Sequence, residues 1–323
     1  MVPICRGLPF CRGFARRMLG AWTPEGNAIM LTLSENFRAL FYAPFYAAFA
    51  IGAYAAEGVE VTLRPSPDPA STSADLLAGR VDAMWGGPLR VILTHAADPT
   101  ADTVCFCDVV VRDPFFIVGR TPRPDFQLAD LAGVRFASVA EVPTPWLCLQ
   151  DDLRRAGIDP ATVKRINGPS MAENAAALRA GTIDAVQLFQ PYAESLLADG
   201  AGHIWQAAAN RGPTAYTTLV ARRSTIAARR EEFAAMVRGM HRTLRWLAAT
   251  PGGDVARAVA EFLPGVPLPI LAASIERYRA LGLYASHPAL AREGFDRLQA
   301  AMLSGGALRH AVAFEDCVAT ARR

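Results

Sequence analysis

Ala74-Asp75-Leu76-Leu77-Ala78-Gly79-Arg80-Val81-Asp82-Ala83 and Ala176-Ala177-Leu178-Arg179-Ala180-Gly181-Thr182-Ile183-Asp184-Ala185 are two copies of one pattern, A-x-L-x-A-G-x-[V/I]-D-A. Each copy reaches a proline soon after its Asp-Ala, at Pro88 and Pro191. The pattern describes a helix that ends at a C-cap glycine, a tight turn, and a buried strand that opens on Asp-Ala. Two copies this far apart are too few for a solenoid, which needs at least three short units in series. They predict two similar α/β lobes, and two lobes make a cleft.

The flanking sequence fits that frame. Leu31-Thr32-Leu33-Ser34 and the alternating Val59-Glu60-Val61-Thr62-Leu63 are predicted strands, with an apolar helix over about 39–55 between them. A helix over about 70–78 leads to strand 81–85. Thr103 to Gly119 is β-rich and is interrupted by Arg112-Asp113-Pro114, where a proline favours a break. Strand 134–139, helix 145–156, strand 163–166, a helix ending at Gly181, and strand 183–189 repeat the order. Residues 216–222 are β-rich, and helices follow over about 224–249, 252–262, 267–281 and 289–303. Strands that alternate with helices give doubly wound sheets, whose ligands bind beyond the carboxyl ends of the strands. The expected architecture is α/β, with two doubly wound lobes and a ligand cleft between them. Lobe one is discontinuous, residues 30–115 and 216–323, and lobe two is 116–215. The chain is expected to cross near 112–120 and 212–220, and the C-terminal helices are expected to pack on lobe one.

Composition narrows the classes. At 323 residues the chain allows two domains, each able to bury a core. A hydrophobic fraction of 52% with 20% charged residues describes an ordinary globular chain. The net charge of +3 is too small to imply nucleic acid or an anionic membrane. Lys164 is the only lysine, so an arginine excess dilutes the meaning of any single Arg. Ala39 to Ala56 is eighteen residues without a charge, the lower edge of transmembrane length. Its Pro44, and Tyr42, Phe45, Phe49 and Ala53 at helical spacing, predict a buried helix, not a membrane span. None of the six cysteines has C-x-x-C spacing. Cys105-Phe106-Cys107 would place both thiols on one face of a strand as small core residues, and no metal site or cofactor is expected. Residues 1–29 read as a disordered extension, with Met30 as an alternative start. Arg16-Arg17-Met18-Leu19 is similar to a twin-arginine signal, but Thr23-Pro24-Glu25-Gly26-Asn27 cuts the apolar stretch short and no signal peptide is visible.

One family matches these residues. Phe41-Tyr42-Ala43-Pro44-Phe45-Tyr46-Ala47-Ala48, then Gly52-Ala53-Tyr54 and Glu57-Gly58-Val59-Glu60-Val61, resemble the opening signature of type 2 periplasmic solute-binding proteins of ABC importers. The branch is the one that holds sulfonate, taurine, nitrate and thiamine-pyrimidine binders. Leu128-Ala129-Asp130-Leu131-Ala132-Gly133-Val134-Arg135-Phe136 looks like the family's D-L-K-G-K-R-I opening of the second lobe, and Gly157-Ile158-Asp159-Pro160 and Pro191-Tyr192 complete the match. The resemblance covers about residues 31–250. It implies a two-lobed binding protein for a small organic ligand, sulfonate or pyrimidine-like. An ABC permease and its ATPase would be its partners, the location would be periplasmic, and a monomer is expected. A cytosolic ligand sensor is the alternative that the missing signal leaves, with a cytoplasmic location.

Three helix N-termini carry binding potential, at Gly86-Gly87-Pro88, Val142-Pro143-Thr144-Pro145 and Gly168-Pro169-Ser170. Free N–H groups and partial positive charge there suit a sulfonate, carboxylate or phosphate. Aromatic rings near strand ends, Phe37, Tyr42, Trp85, Phe115, Trp146 and Tyr192, would hold a flat ligand body. Asn36, Gln187 and Gln190 would orient it, and Arg112 would pair with an anion. The ligand set expected is Asn36, Phe37, Tyr42, Trp85, Gly86, Gly87, Arg112, Thr144, Gln187 and Tyr192. No G-x-S-x-G, H-E-x-x-H or Walker pattern is present. A pyrimidine synthase of thiamine biosynthesis that shares the fold uses a pyridoxal-linked lysine, an iron-binding histidine and a cysteine-rich motif. Lys164, the scattered histidines and Cys-Phe-Cys do not assemble that enzyme, so binding without catalysis is expected.

Overall fold

The computed structural model describes residues 30–66 and 68–319, so the expectations for residues 1–29 lie outside the described residues. Strands β1 (Met30–Ser34), β2 (Glu60–Arg64), β3 (Ala83–Gly86) and β4 (Thr103–Val110) belong to one sheet. Strands β5 (Phe116–Gly119), β6 (Phe136–Ala137), β7 (Arg165–Ile166), β8 (Ala185–Leu188) and β9 (His203–Ala207) form a second. Strand β10 (Thr217–Arg222) returns to the first sheet. The orders are β2-β1-β3-β10-β4 and β7-β6-β8-β5-β9. In each sheet the first three strands run parallel, while the fourth, which crosses from the other half of the chain, is antiparallel to both of its neighbours. The two sheets are therefore topological copies.

The sequence repeat sits at matching places in both copies. The helices Pro69–Leu77 and Met171–Arg179 end one residue before Ala78 and Ala180, and the following Gly79 and Gly181 lie at φ +70° and +73°. In the first copy the N–H groups of Gly79 and Arg80 donate to the carbonyls of Leu76 and Asp75. In the second, those of Gly181 and Thr182 donate to Leu178 and Ala177. This double closure needs a left-handed residue, which only glycine adopts without a Cβ penalty. The repeated aspartates also do the same work twice. Asp82 Oδ2 accepts from the Thr32 N–H at 2.8 Å, and Asp184 Oδ2 accepts from the Arg135 N–H at 2.9 Å. Each carboxylate thus stitches the turn before β3 or β8 to the parallel strand beside it, at Thr32 in β1 and at Arg135 just ahead of β6. The Arg135 guanidinium also binds Asp184 and holds its carboxyl down at about 2.

Four expectations change. The apolar segment is a short 3-10 turn, Leu40–Tyr42, followed by the helix Ala43–Ala50, shorter than predicted. Pro44 lacks an N–H and is suited to a first helical turn, so the helix starts beside it. The connections between sheets run through 111–115 and 208–216, because 116–119 is already strand β5. Cys105 and Cys107 are both buried but face opposite sides. Consecutive Val220 and Leu219 pair with them across a bulge at Phe106, and the extra residue reverses the alternation. Finally, the helices Arg230–Ala249 and Gly252–Val259 pack on the first lobe, but the two long helices after them also reach the second. The helix Leu268–Ala280 reaches Tyr192–Ala198, and Arg292–Ser304 packs against Thr144–Arg155 as well as Pro88–Ala97. Tyr278 shows why: its hydroxyl donates to the Pro114 carbonyl in one crossing and accepts from the Gln190 N–H beyond β8. Among the described residues no helix is long and apolar enough to cross a membrane.

Candidate functional site

The two crossings bring the carboxyl ends of the strands around one cavity of about 170 Å³. Behind β1 the chain is pinned by Glu35, which accepts from the Tyr46 hydroxyl at 2.6 Å and from both donor groups of the Arg38 fork. That clamp presents Asn36 and Phe37 to the cavity. The Asn36 amide donates to the Tyr42 hydroxyl at 3.3 Å, while Asn36 Oδ1 is buried with no partner among the described residues. Thr217 Oγ1, at the start of β10, is likewise buried and unpartnered. A buried polar atom without a partner costs about 1–3 kcal/mol, and both of these belong to residues that line the cavity.

The walls are aromatic. Phe37 lies 5.2 Å from Tyr42 and 6.0 Å from Phe41 between ring centroids, and Phe115 and Tyr216 close the back from the two crossings. Burial pushes the Tyr42 and Tyr216 phenols well up, so both are neutral donors at any ordinary pH. The turn after β3 supplies Gly87 and the helix Pro88–Ala97, whose first turn has no side-chain cap. A Cβ on Gly87 would stand 3.3 Å from the Tyr216 carbonyl, which fits a glycine at this close approach. Arg90, in the same turn, lines the cavity. Its guanidinium has neither a salt bridge nor a hydrogen bond among the described residues. The second lobe contributes Val142, Pro143 and Thr144, at another helix start without a side-chain cap.

Five of the ten predicted ligand residues meet here: Asn36, Phe37, Tyr42, Gly87 and Thr144. The other five do not. Trp85 is 0% exposed, stacked on Phe45 at 4.8 Å and edge-on to Tyr46, because its position in β3 turns the ring into the helix layer. Gly86 is buried beside the Met84 side chain. Arg112 donates to the Ala209 carbonyl and ties the two crossings together. Gln187 donates to the Pro145 carbonyl and faces a separate crevice beside Leu149 and Arg211. Tyr192 packs against Phe189 on the second lobe. Of the further candidates, Phe115 lines the cavity, Trp146 lies under Arg165, and Gln190 is fully buried in a network with Glu194, Tyr278 and Ser274. Ser170 caps its own helix with Glu173, so the third predicted helix start is self-satisfied. Sequence reasoning missed Phe41, Arg90, Tyr216 and Thr217. For Arg90 a signal existed, a cation two residues after a Gly-Gly-Pro turn, but the arginine excess masked it.

A cavity between two topologically equivalent sheets is the architecture of the periplasmic binding protein fold, which the solved structures described below share. More specifically, the chain belongs to the NMT1-like family, whose model matches residues 37–263. It is 24% identical over 302 residues to YtlA of Bacillus subtilis (strain 168), provisionally named a binding protein, covering 93% of this chain and 90% of that one. Among solved structures it is similar to the periplasmic aliphatic sulphonate binding protein SsuA from Escherichia coli, with TM-score 0.71 and 17% identity over 90% of this chain and 97% of that one. The alkanesulfonate-binding SsuA from Xanthomonas axonopodis pv. citri, bound to MOPS, superposes with TM-score 0.65 and 18% identity over 88% and 95% of the two chains. The desulfurization enzyme DszB also shares the fold, with TM-score 0.66 and 16% identity over 90% and 96%.

Proposed function

We propose that the protein reversibly binds a small organic solute, sulfonate or pyrimidine-like, between its lobes and delivers it to an ABC permease and its ATPase as a periplasmic monomer. In this reading residues 30–115 and 216–323 act as one lobe and 116–215 as the other. Asn36, Phe37, Tyr42, Gly87 and Thr144 hold the ligand, joined by Arg90 and Thr217. Trp85, Gly86, Arg112, Gln187 and Tyr192 support the lobes. The observation that carries the reading is the cavity itself. It is lined from both lobes and both crossings by aromatic rings, two uncapped helix starts and the Arg90 side chain. Contacts with both lobes are what a ligand needs to favour closure.

The likeness to DszB is the observation that favours an enzyme instead. Among the described residues neither a cysteine nor Lys164 lines the cavity, and burial pushes the thiols of Cys105, Cys148 and Cys317 up to about 12. Thiols held that firmly protonated are poor nucleophiles, so binding without turnover is the better account. A thermal-shift panel of sulfonates, taurine, nitrate, pyrimidines and aromatic carboxylates, on protein refolded free of ligand, tests the proposal. A ligand at 100 times its Kd adds about 2.7 kcal/mol of stability. Silence across all classes would refute solute binding, and product formation from a bound compound would refute the non-catalytic reading.

A further inference from the structure

Resting on the binding reading above, we propose that the ligand is a single-ring aromatic compound with one negative charge and no ammonium group, the charge received by Arg90. Size comes first. An enclosed apolar cavity of about 150 Å³ accepts benzene, so one of about 170 Å³ has room for one ring and a compact substituent. The walls agree with a ring, since Phe37, Phe41, Tyr42, Phe115 and Tyr216 supply faces and edges around the space.

Charge decides the rest. Arg90 is the charged side chain among the described residues that line the cavity; its guanidinium makes no hydrogen bond or salt bridge among them, although, beside the hydrogen bonds from Ser71, its charge helps to hold the Asp68 carboxyl down. Beside it the helix start contributes partial positive charge, which adds to the field an anion would meet. Three carboxylates, Glu35, Asp68 and Glu141, each precede a residue that lines the cavity, and each is already engaged. Glu35 is held by Arg38 and Tyr46, Asp68 caps its own helix through Ala70 and Ser71, and Glu141 accepts from the Met171 N–H at 2.7 Å. A zwitterion would bring an ammonium with no partner into an aromatic enclosure, at the cost of desolvating it. Asn36 and Thr217, which line the cavity and each carry a side-chain oxygen without a partner among the described residues, are the polar groups nearest a neutral substituent on the ring.

The test is isothermal titration of ligand-free protein with benzoate, benzenesulfonate, benzamide and taurine, in the wild type and in Arg90→Gln. Benzamide has the shape of benzoate without its charge. The wild type is expected to favour benzoate or benzenesulfonate over benzamide by about tenfold or more, in line with a charge-assisted contact, and to leave taurine unbound. Arg90→Gln is expected to bring benzoate within about threefold of benzamide, with its melting temperature little changed, because the guanidinium makes no hydrogen bond or salt bridge among the described residues and acts on the exposed Asp68 cap only through its charge. If the variant fails to fold, the benzoate-to-benzamide ratio of the wild type decides alone. Taurine or methanesulfonate binding as tightly as the aromatic anions would overturn the aromatic-anion proposal while leaving solute binding intact. No binding by any compound of this set or of the wider panel would remove both. Equal affinity for benzoate and benzamide in the wild type would overturn the role of Arg90.

Discussion

Replacing Trp85 with alanine separates a core ring from a cleft ring. The indole is 0% exposed, stacked on Phe45 and flanked by Tyr42 and Tyr46. A buried Trp hides roughly 200 Å², which at ~25 cal/mol per Å² corresponds to about 5 kcal/mol. Measured large-to-small losses at such sites run about 3–5 kcal/mol, because the surroundings collapse only in part. The indole N–H has no partner among the described residues, so its removal returns about 1 kcal/mol of desolvation cost. The net loss should be about 3–4 kcal/mol, read as a drop in the urea midpoint at unchanged slope. Trp85→Phe keeps an aromatic ring and deletes the orphaned donor, and should lose less than about 1.5 kcal/mol. Affinity for the best compound of the ligand panel, measured on folded Trp85→Phe, should stay within about threefold of wild type. A loss below about 1 kcal/mol in Trp85→Ala, coupled to a tenfold loss of ligand affinity, would show that the ring faces the cleft and that the packing argument is wrong.

Asp108 in β4 is 2% exposed with Oδ1 unpartnered among the described residues, and burial raises its carboxyl to about 8 despite the nearby N–H groups of Val109 and Ala291. A carboxyl with a raised folded-state pKa stabilises most at low pH, and that contribution is lost as pH rises from about 4 toward 8. Asp108→Asn should therefore gain on the wild type by about 1.4 kcal/mol per pH unit in that window, and denaturation at pH 5 and pH 7 giving the same difference would contradict it. At the crossings, Arg211 is buried and joins Asp113 at 2.5 Å to Asp152 at 2.5 Å on the second-lobe helix Thr144–Arg155. Arg211→Met strands a fully buried Asp113 and should cost about 3–5 kcal/mol. Asp152→Asn leaves that pair intact and should cost clearly less, a ranking that thermal melts of the two variants can check.

Some of this protein was legible in its sequence because the signals were local. The repeat around Gly79 and Gly181 encodes a helix stop that depends on one residue's tolerance of positive φ, and the aspartates that follow bond at or just ahead of the parallel strand beside them. Backbone conformation and short-range bonding decide those features, so they read directly from residue type. The alternation of strands and helices, and with it the two-lobed α/β class, follows from the same short-range periodicity. Strand ends likewise placed Asn36, Gly87 and Thr144 near the cleft. What the chain could not announce was direction. Trp85 lies inside β3, whose pleat turns the ring into the helix layer, whereas Phe37 lies in the bend three residues past β1, where it lines the cavity. A bulge at Phe106 likewise reversed the faces of Cys105 and Cys107. Arg90, Tyr216 and Thr217 come together only because β10 inserts between β3 and β4, across more than a hundred residues of chain. That insertion is set by the packing of the whole sheet, and no local pattern records it.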